Sequence, residues 1–237
     1  MKSVAVIGSS GAIGKAFIAN YLENEAIKNI ISFSRSPPSD LNKRVKHYSI
    51  DIEDEASIKE ASANLNGLVL DEVIIASGLL HTGDFGPEKS IKDLKAENIL
   101  KVFKVNTVGP AIIGKYFLPL LNKNTKSIMA FLSARVGSIS ENKSGGWYSY
   151  RASKSALNQI IKNFSIEIKR SNPNAIIIGL QPGTVESNLS EPFKKNVKKG
   201  NLFTAEYSVG MLKEVIDSSV ALDSGKLIGW DGQEINP

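Results

Sequence analysis

In this 237-residue chain, Tyr150 and Lys154 form a pair of reactive side chains that suggests a type of chemistry. They are four residues apart in a segment with helical periodicity, so both side chains lie on one face of a helix, about one turn apart. A neighbouring ammonium group stabilises a phenolate and lowers the pKa of a tyrosine. Such a tyrosine can give a proton to a carbonyl oxygen or take one from an alcohol. Because this spacing is common on helices, the pair needs further residues to define an activity.

A glycine-rich turn near the start of the sequence could bind a phosphate group. A short apolar strand runs into Gly8-Ser9-Ser10-Gly11-Ala12-Ile13-Gly14, and a helical segment follows directly. Small residues let the backbone approach a phosphate, and a helix N-terminus offers unpaired N–H groups. The strict G-x-G-x-x-G pattern is absent because position 10 is serine, and close packing of helix on strand is an alternative explanation for the glycines.

The end of the second predicted strand indicates which dinucleotide could bind. It reads Ser34-Arg35, and residues 27–38 contain no Asp or Glu. A carboxylate here would bind the ribose 2′-hydroxyl of NAD, whereas an arginine can pair with the 2′-phosphate of NADP. We therefore expect NADP(H) to be preferred over NAD(H). The alternatives are that Arg35 points to solvent and that Lys15 or Arg135 selects the cofactor.

The composition excludes several other kinds of chemistry. Apolar residues make up 42% and charged residues 22% of the chain, as in average soluble globular proteins. The chain has no cysteine, which excludes a disulfide framework, a thiolate nucleophile and a cysteine-ligated metal. Two histidines, His47 and His81, are too few for a histidine-rich metal centre, so no metal is expected. No apolar stretch is long enough to span a membrane, so we expect a cytoplasmic protein without a membrane partner.

The net charge of +5 raises the question of nucleic-acid binding. Basic clusters lie within residues 43–46 and 194–199, but no aromatic residues alternate with the lysines and no nucleic-acid-binding motif accompanies them. A solvated basic surface explains these clusters, and we expect no nucleic-acid partner.

Short Val/Ile-rich runs alternate with longer helical segments, which is typical of a parallel α/β sheet. The predicted strands are Val4 to Ile7, Asn29 to Phe33, Val45 to Ile50, Val73 to Ala76, Ser127 to Leu132, Ala175 to Leu180 and Lys226 to Ile228. The predicted helices are Ile13 to Glu23, Glu55 to Leu65, Ile91 to Leu121, Tyr150 to Arg170 and Ala205 to Ser218. The pattern predicts a single-domain, Rossmann-like, doubly wound parallel sheet of about seven strands over residues 1–237, with helices on both faces. The polar segment 186–201 is expected to form a lid over the substrate site.

The motifs occur in the order found in short-chain dehydrogenases/reductases, and the chain resembles that family over essentially its whole length. Four elements carry the resemblance: Tyr150-Arg151-Ala152-Ser153-Lys154, Asn106-Thr107-Val108-Gly109, Pro182-Gly183-Thr184-Val185 and Asp51-Ile52. The family's Asn-Asn-Ala-Gly element reads Ile75-Ala76-Ser77-Gly78, which keeps only small residues and the last glycine. Segments 138–148 and 229–232 are most similar to the subgroup of the C-factor signalling protein and the sniffer-type carbonyl reductases.

The resemblance implies roles for these residues. Tyr150 would be the general acid in reduction, Lys154 would hold the nicotinamide ribose and tune Tyr150, and Asn106 would bind a water that connects Lys154 to solvent. The substrate would be a small molecule with a carbonyl or secondary alcohol group. Together, the residue patterns and the resemblance assign cofactor binding to Gly8, Ser10, Ile13, Ser34, Arg35, Asp51, Ile52, Ala76, Gly78, Tyr150, Lys154, Pro182, Gly183 and Val185.

The catalytic serine departs from the family pattern. It usually stands three residues before a glycine, but counting back from Gly137 gives Ala134, and the serine is one place earlier at Ser133. A bulge at the strand end could re-aim the side chain by one residue. We therefore expect Ser133 to be the fourth catalytic residue, with Ser138 as a less favoured substitute.

Two functions remain open at the level of sequence. The first is an NADP(H)-dependent oxidoreductase, and the second is a dinucleotide-binding signalling or regulatory protein with little turnover, which the displaced serine motivates. The segments Ile91 to Leu121 and Tyr150 to Arg170 carry more apolar positions than one sheet face needs. In relatives the corresponding helices pair across a two-fold axis, so we expect a homodimer or homotetramer.

Overall fold

The computed structural model describes residues 2–38, 41–196 and 200–237. Within them the strands are β1 Lys2–Ile7, β2 Ile27–Ser34, β3 Val45–Ser49, β4 Glu72–Ile75, β5 Ser127–Leu132, β6 Ala175–Gln181, β7 Thr184–Val185, β8 Leu202–Phe203, β9 Leu227–Gly229 and β10 Glu234–Ile235. The α-helices are α1 Ala12–Glu23, α2 Glu55–Ala63, α3 Ala96–Phe103, α4 Gly109–Phe117, α5 Tyr148–Ile168 and α6 Ala205–Ser218. Short 3-10 turns occupy Ile91–Asp93, Leu118–Leu120, Arg135–Gly137, Glu191–Asn196 and Ala221–Asp223.

The central sheet has eight strands in the order β10-β9-β6-β5-β4-β1-β2-β3. The seven strands from β9 to β3 in this order are parallel, and β10 pairs with β9 in the antiparallel direction. This confirms the predicted doubly wound α/β fold. The sequence pattern does not predict the eighth strand, β10, or the separate parallel pair β7–β8, because each of these strands has only two residues and therefore no periodicity.

Apolar residues on both faces of the strands explain why helices cover both sides. Val4 and Val6 of β1 pack in one core with Phe17 of α1 and Leu212 of α6. The alternate strand residues belong to a second core, which also contains residues from α2, α4 and α5. Successive side chains of a strand point to opposite faces, so a strand buried on both faces reads as a continuous apolar run.

The segment from Ile91 to Leu121 is not the single helix that its periodicity predicts. It is divided into α3, a π-helical turn at Lys104–Val108, and α4. Pro110 lies in the first turn of α4 and has no N–H, so it cannot donate the hydrogen bond that an α-helix would make to the carbonyl of Asn106. The π turn lies directly before this missing bond.

Every helix in the described part of the chain is too short or too polar to cross a bilayer.

Gly109 permits a close contact that any larger residue would break. A Cβ atom built at position 109 would lie 2.6 Å from the carbonyl oxygen of Ile52. We expect Gly109→Ala to lower the free energy of unfolding by about 1–3 kcal/mol, because the added methyl group overpacks a backbone contact. Gly210 in α6 has no atom within 4 Å of the corresponding position, so Gly210→Ala should raise stability by about 0.5–1 kcal/mol. Urea unfolding measures both values, and effects of the same sign would contradict this account.

Candidate active site

The predicted site residues lie at the carboxyl edge of the parallel sheet. The loops after β1, β4, β5 and β6 all emerge at this edge, because parallel strands end on the same side. The strand order reverses between β1 and β4. A crevice between the two loops at such a switch point is where open α/β sheets bind ligands.

The glycine turn is folded tightly against the end of β4. Gly8 has φ +84°, and a Cβ atom there would lie 2.9 Å from the carbonyl carbon of Ala76. A Cβ atom on Gly14 would overlap the carbonyl of Gly8. The glycines are therefore required for packing, as the alternative explanation held, and they also bring the backbone of the turn to the mouth of the crevice.

The N-terminus of α1 fits an anionic group. Its N-cap is Gly11, which offers no side chain to cap the helix, and its first turn contains no acidic residue. The first N–H groups of a helix have no partner within it, and the helix dipole adds positive potential. Ile13 belongs to this turn, and Ser10 is exposed beside it. Ser77, on the adjoining loop, has a buried hydroxyl with no hydrogen-bond partner among the described residues. This donor set matches the diphosphate of a dinucleotide.

Two loops extend the crevice on the other side of the glycine turn. Arg35 is exposed directly after β2. Ser34 is buried, and its hydroxyl donates to the carbonyl of Ser36 at 2.7 Å, so this hydroxyl proton is not available to a ligand. Asp51 accepts from the amide of Glu53 at 2.9 Å through one carboxylate oxygen, which leaves the second oxygen for a ligand.

Lys154 and Tyr150 share a desolvated environment on α5. The Nζ of Lys154 donates to the carbonyl of Leu132 at 2.8 Å and lies 5.8 Å from the centre of the Tyr150 ring. Burial lowers the pKa of Lys154 to about 8 and raises the pKa of Tyr150 to about 12. Both shifts have the same cause, since loss of hydration disfavours the charged form of each group. The pKa of Tyr150 is thus raised, not lowered as the neighbouring ammonium led us to expect, because burial outweighs the attraction of Lys154.

Asn106 is fully buried in the π turn, and its side chain is occupied by the loop after β4. Its Oδ1 accepts from the amide of Leu79 at 2.7 Å, and its Nδ2 donates to the Leu79 carbonyl at 2.8 Å and to the Ser153 hydroxyl at 3.1 Å. A Cβ atom on Gly78 would lie 3.9 Å from both Asn106 Oδ1 and Lys154 Nζ. The structure thus brings Asn106, Gly78 and Lys154 together.

The hydroxyl of Ser133 points to α5. It donates to Oδ1 of Asn158 at 2.6 Å, one helical turn beyond Lys154. The β5–β6 register is continuous from Ser127 to Leu132, and the amide of Ser133 donates to the carbonyl of Leu180 in the same register, so there is no bulge up to Ser133. Ser138, the substitute, is also buried, and its hydroxyl accepts from the amide of Glu141 at 3.2 Å.

The turn after β6 is held by three other elements. Gly183 has φ +76°, and a Cβ atom there would lie 2.6 Å from the ring of Phe203. The carbonyl of Pro182 accepts from the Ser208 hydroxyl at 2.7 Å. Val185 is buried in β7, and its carbonyl accepts from the Ser190 hydroxyl at 2.5 Å. These contacts fix the backbone of the turn at this edge of the sheet.

Where it is described, the segment predicted as a lid contacts the loop after β4 and the residue before α5. Residues 197–199 lie outside the described residues. Nε2 of His81 donates to the carbonyl of Asn188 at 3.0 Å. The ring of Phe193 lies 5.1 Å from Trp147, whose ring is 6.2 Å from that of Tyr150. The rings of Phe193 and Trp147 therefore form an aromatic wall beside Tyr150.

Three residues beside the site carry no signal that sequence reasoning could use. They are Glu88, Asn158 and Phe193, and each is placed by a partner distant in the chain. Aromatic and acidic residues in loops are too common for their type alone to identify them.

Comparisons with known proteins agree with the fold and the motifs. A family model described as short chain dehydrogenase matches residues 2–198. The 1-hydroxy-2-glutathionyl-2-methyl-3-butene dehydrogenase of Rhodococcus sp. (strain AD45) is 29% identical over 185 residues, covering 77% of this chain and 76% of that protein. The C-signal protein of Myxococcus xanthus is 27% identical over 146 residues, covering 62% of this chain and 82% of that protein.

Solved structures show the same fold. The carbonyl reductase Sniffer of D. melanogaster superposes with a TM-score of 0.86 at 21% identity, over 100% of both chains. The NADPH-bound carbonyl reductase from chicken fatty liver gives a TM-score of 0.85 at 23% identity, over 100% of this chain and 99% of that chain. The protein belongs to the short-chain dehydrogenase family, and it is an enzyme of the oxidoreductase class.

Burial of Lys154 predicts a pH dependence of stability. Its pKa is about 8 in the folded protein against 10.5 in the unfolded chain, so the unfolded chain binds more protons between these values and stability rises with pH across this window. Lys154→Met removes this rise, which amounts to about 2 kcal/mol between pH 7.5 and pH 10. The measurement is the difference in unfolding free energy between wild type and variant at the two pH values. Lys162→Met, on an exposed lysine of the same helix, should keep the wild-type rise, and a constant difference for Lys154→Met would contradict the prediction.

Proposed function

We propose that this enzyme transfers a hydride between NADP(H) and a carbonyl or secondary alcohol, with Tyr150 as general acid or base. The observation that carries the proposal is the desolvated pair of Tyr150 and Lys154, whose ring centre and Nζ are 5.8 Å apart. The pair stands at the same sheet edge as an uncapped helix N-terminus that fits a diphosphate. Family membership supports a nicotinamide dinucleotide as the cofactor.

Separate parts of the crevice would hold separate parts of the cofactor. The glycine turn and the N-terminus of α1 would bind the diphosphate through backbone N–H groups. Asp51 and Ile52 would contact the adenine, and Ala76 and Gly78 would line the middle of the site. Pro182, Gly183, Val185 and Lys154 would hold the nicotinamide end, where the bound cofactor supplies or accepts the hydride.

Tyr150 is suited to protonate the substrate. With a pKa of about 12 it carries its proton at neutral pH, which is the form that reduction requires. When hydride adds to the carbonyl carbon, Tyr150 gives its proton to the oxygen and an alcohol results. The Lys154 ammonium, when protonated, stabilises the phenolate left on Tyr150 and favours the transfer. In the oxidation direction the same phenolate takes the alcohol proton.

Asn106 would bind the relay water through its main chain. The side-chain amide of Asn106 is already hydrogen-bonded to Leu79 and Ser153. Its main-chain carbonyl lacks the N–H donor that residue 110 would supply in an α-helix, because that residue is proline. A water on this carbonyl could pass a proton from solvent to Lys154. This arrangement restores the proton that Tyr150 gives away in each turnover.

Ser133 could assist only after a rearrangement. An oxyanion donor must aim at the position where the substrate oxygen develops charge, but the Ser133 proton is donated to Asn158. This observation favours a second candidate function, a dinucleotide-binding signalling or regulatory protein with little turnover. The relative named C-signal supports that alternative. NADPH binding without oxidation of the cofactor by any of a panel of aldehydes, ketones and quinones would favour the second candidate over the first.

The assembly expected from the sequence stays a prediction. The side chains of Leu100, Val108 and Ile166 are at least half exposed on the helical segments expected to pair, and covering them would support a homodimer or homotetramer. The single domain over residues 1–237, the lid over 186–201, the cytoplasmic location and the absence of a nucleic-acid partner likewise stay predictions.

Tyr150→Phe tests the catalytic assignment. Loss of the phenol should lower kcat by a factor of about 10²–10⁴, the usual contribution of a general acid or base. The NADPH dissociation constant, measured by fluorescence titration, should stay within about twofold because the diphosphate site is untouched. Tyr148→Phe is the matched control, since Tyr148 is exposed and four residues before Ala152 rather than a lysine. A Tyr150→Phe enzyme with wild-type turnover would refute the assignment.

Arg35→Ala tests the cofactor preference. A charge-assisted bond to the 2′-phosphate contributes about 1.5–3 kcal/mol, so NADPH binding should weaken about ten- to a hundredfold while NADH binding is unchanged. Arg135→Ala is the control: Arg135 pairs with Glu141 at 2.8 Å and follows β5, three strand spacings or about 14 Å from β2. Titration of both cofactors decides the point, and an unchanged ratio of NADPH to NADH affinity in Arg35→Ala would exclude Arg35.

A further inference from the structure

The chain enters α5 through three consecutive residues with left-handed backbone conformation. Gly145, Gly146 and Trp147 have φ values of +63°, +64° and +52°. Glycine adopts this conformation freely, but a bulky residue such as tryptophan does so only when surrounding contacts impose it. Backbone strain of this kind often marks functional sites. Tyr150 follows three residues later, so whatever holds Trp147 also sets the start of the helix that carries Tyr150.

Glu88 supplies the contacts that hold this entry. Its carbonyl accepts from the amide of Trp147 at 2.5 Å. The space beside Gly146 is limited by the same carbonyl, since a Cβ atom there would lie 3.4 Å from it. From the helix side, Nε of Arg151 donates to the Gly146 carbonyl at 3.1 Å. The left-handed run is thus clamped between the segment after β4 and the first turn of α5.

The carboxylate of Glu88 caps α5 from 61 residues away in the sequence. It accepts from the amide of Ser149 at 3.1 Å and also from the Ser149 hydroxyl. The helix has no cap of its own, because the Trp147 side chain caps no N–H group and the first turn contains no acidic residue. Glu88 is 4% exposed, so water does not compete for these bonds. A carboxylate in this place also interacts favourably with the positive end of the helix dipole.

We propose that Glu88 is a positioning residue for Tyr150, an inference that rests on the proposed function. Ser149 precedes Tyr150 directly, so the bonds from Glu88 fix the rotation of the first turn of α5. Lys154 is held independently by the Leu132 carbonyl. With Glu88 in place, the phenol of Tyr150 keeps a fixed distance from the Lys154 ammonium and from the aromatic wall formed by Trp147 and Phe193. Without the carboxylate, the amide and hydroxyl of Ser149 lose their partner, the first turn of α5 loosens below Trp147, and the phenol moves off the substrate oxygen.

The kinetic test compares Glu88→Ala, Glu88→Gln and Glu97→Ala. Glu97 is an exposed acid in the first turn of α3, so its replacement is the matched change at another helix N-terminus. We expect kcat to fall at least tenfold in Glu88→Ala and less in Glu88→Gln, which keeps one carbonyl acceptor for Ser149. The KM and dissociation constant for NADPH should stay within twofold in both, and Glu97→Ala should behave as wild type. If Glu88→Ala does not fold, the Glu88→Gln enzyme decides the test.

A spectroscopic measurement makes the test independent of turnover. Trp147 and Trp230 are the two tryptophans of the chain, so Trp230→Phe leaves Trp147 as the single emitter. In that background, Glu88→Gln should loosen the packing around Trp147. The Trp147 fluorescence emission should then shift to longer wavelength, and the near-ultraviolet circular dichroism of Trp147 should weaken. Wild-type kcat in Glu88→Gln, an equal loss of kcat and NADPH affinity, or an unchanged Trp147 spectrum would overturn the proposal. Full activity of Tyr150→Phe would instead overturn the proposed function, so the two failures are distinguishable.

Discussion

The buried amino group of Lys154, which donates to the carbonyl of Leu132, ties helix α5 to the end of strand β5. A lysine is tolerated there because its one strong hydrogen bond partly replaces the water it has lost, and because its pKa falls to about 8. This contact fixes α5 along its axis relative to the sheet. Tyr150, Ser153 and Asn158 lie on the same helix, so their places relative to the loops after β4 and β5 follow from it.

The other parts of the crevice are arranged around that fixed helix by backbone groups more than by side chains. Asn106 binds both the amide and the carbonyl of Leu79, and the glycine turn packs directly on the backbone of Ala76. Backbone contacts of this kind allow little adjustment, because main-chain atoms cannot change rotamer. The backbone at this sheet edge is therefore held firmly, which would reduce the entropy lost on binding a long, flexible dinucleotide.

The strands and most helices could be predicted from the sequence because their signal is local. Ser127–Leu132 and Ala205–Ser218 have the predicted bounds, since a continuous apolar run or an amphipathic period is contained within each element. The break between α3 and α4 was missed although Pro110 is visible in the sequence, because the apolar period continues on both sides of it.

The site was predicted less completely, for a different physical reason. The Tyr150–Lys154 pair follows from helix geometry, but the direction of the Ser133 hydroxyl depends on the β5–β6 register and on Asn158. Glu88 is placed by Ser149 in the first turn of α5, and Phe193 by Trp147. Contacts between loops depend on the assembled fold, and a single sequence carries no periodic pattern for them.

The π turn at Lys104–Val108 has the geometric effect of one residue inserted into a helix. Each residue of an α-helix advances by about 100°, so side chains after the turn are rotated by that angle from where an uninterrupted helix would place them. Asn106 faces Leu79 and Ser153 within this turn, whereas Ile113 and Phe117 of α4 face the sheet. A deletion of one residue in the π turn would turn either Asn106 away from Leu79 and Ser153, or Ile113 and Phe117 away from the sheet. The length of this segment is consequently under tighter constraint than its composition, and insertions and deletions should be far rarer here than in the loops that surround it.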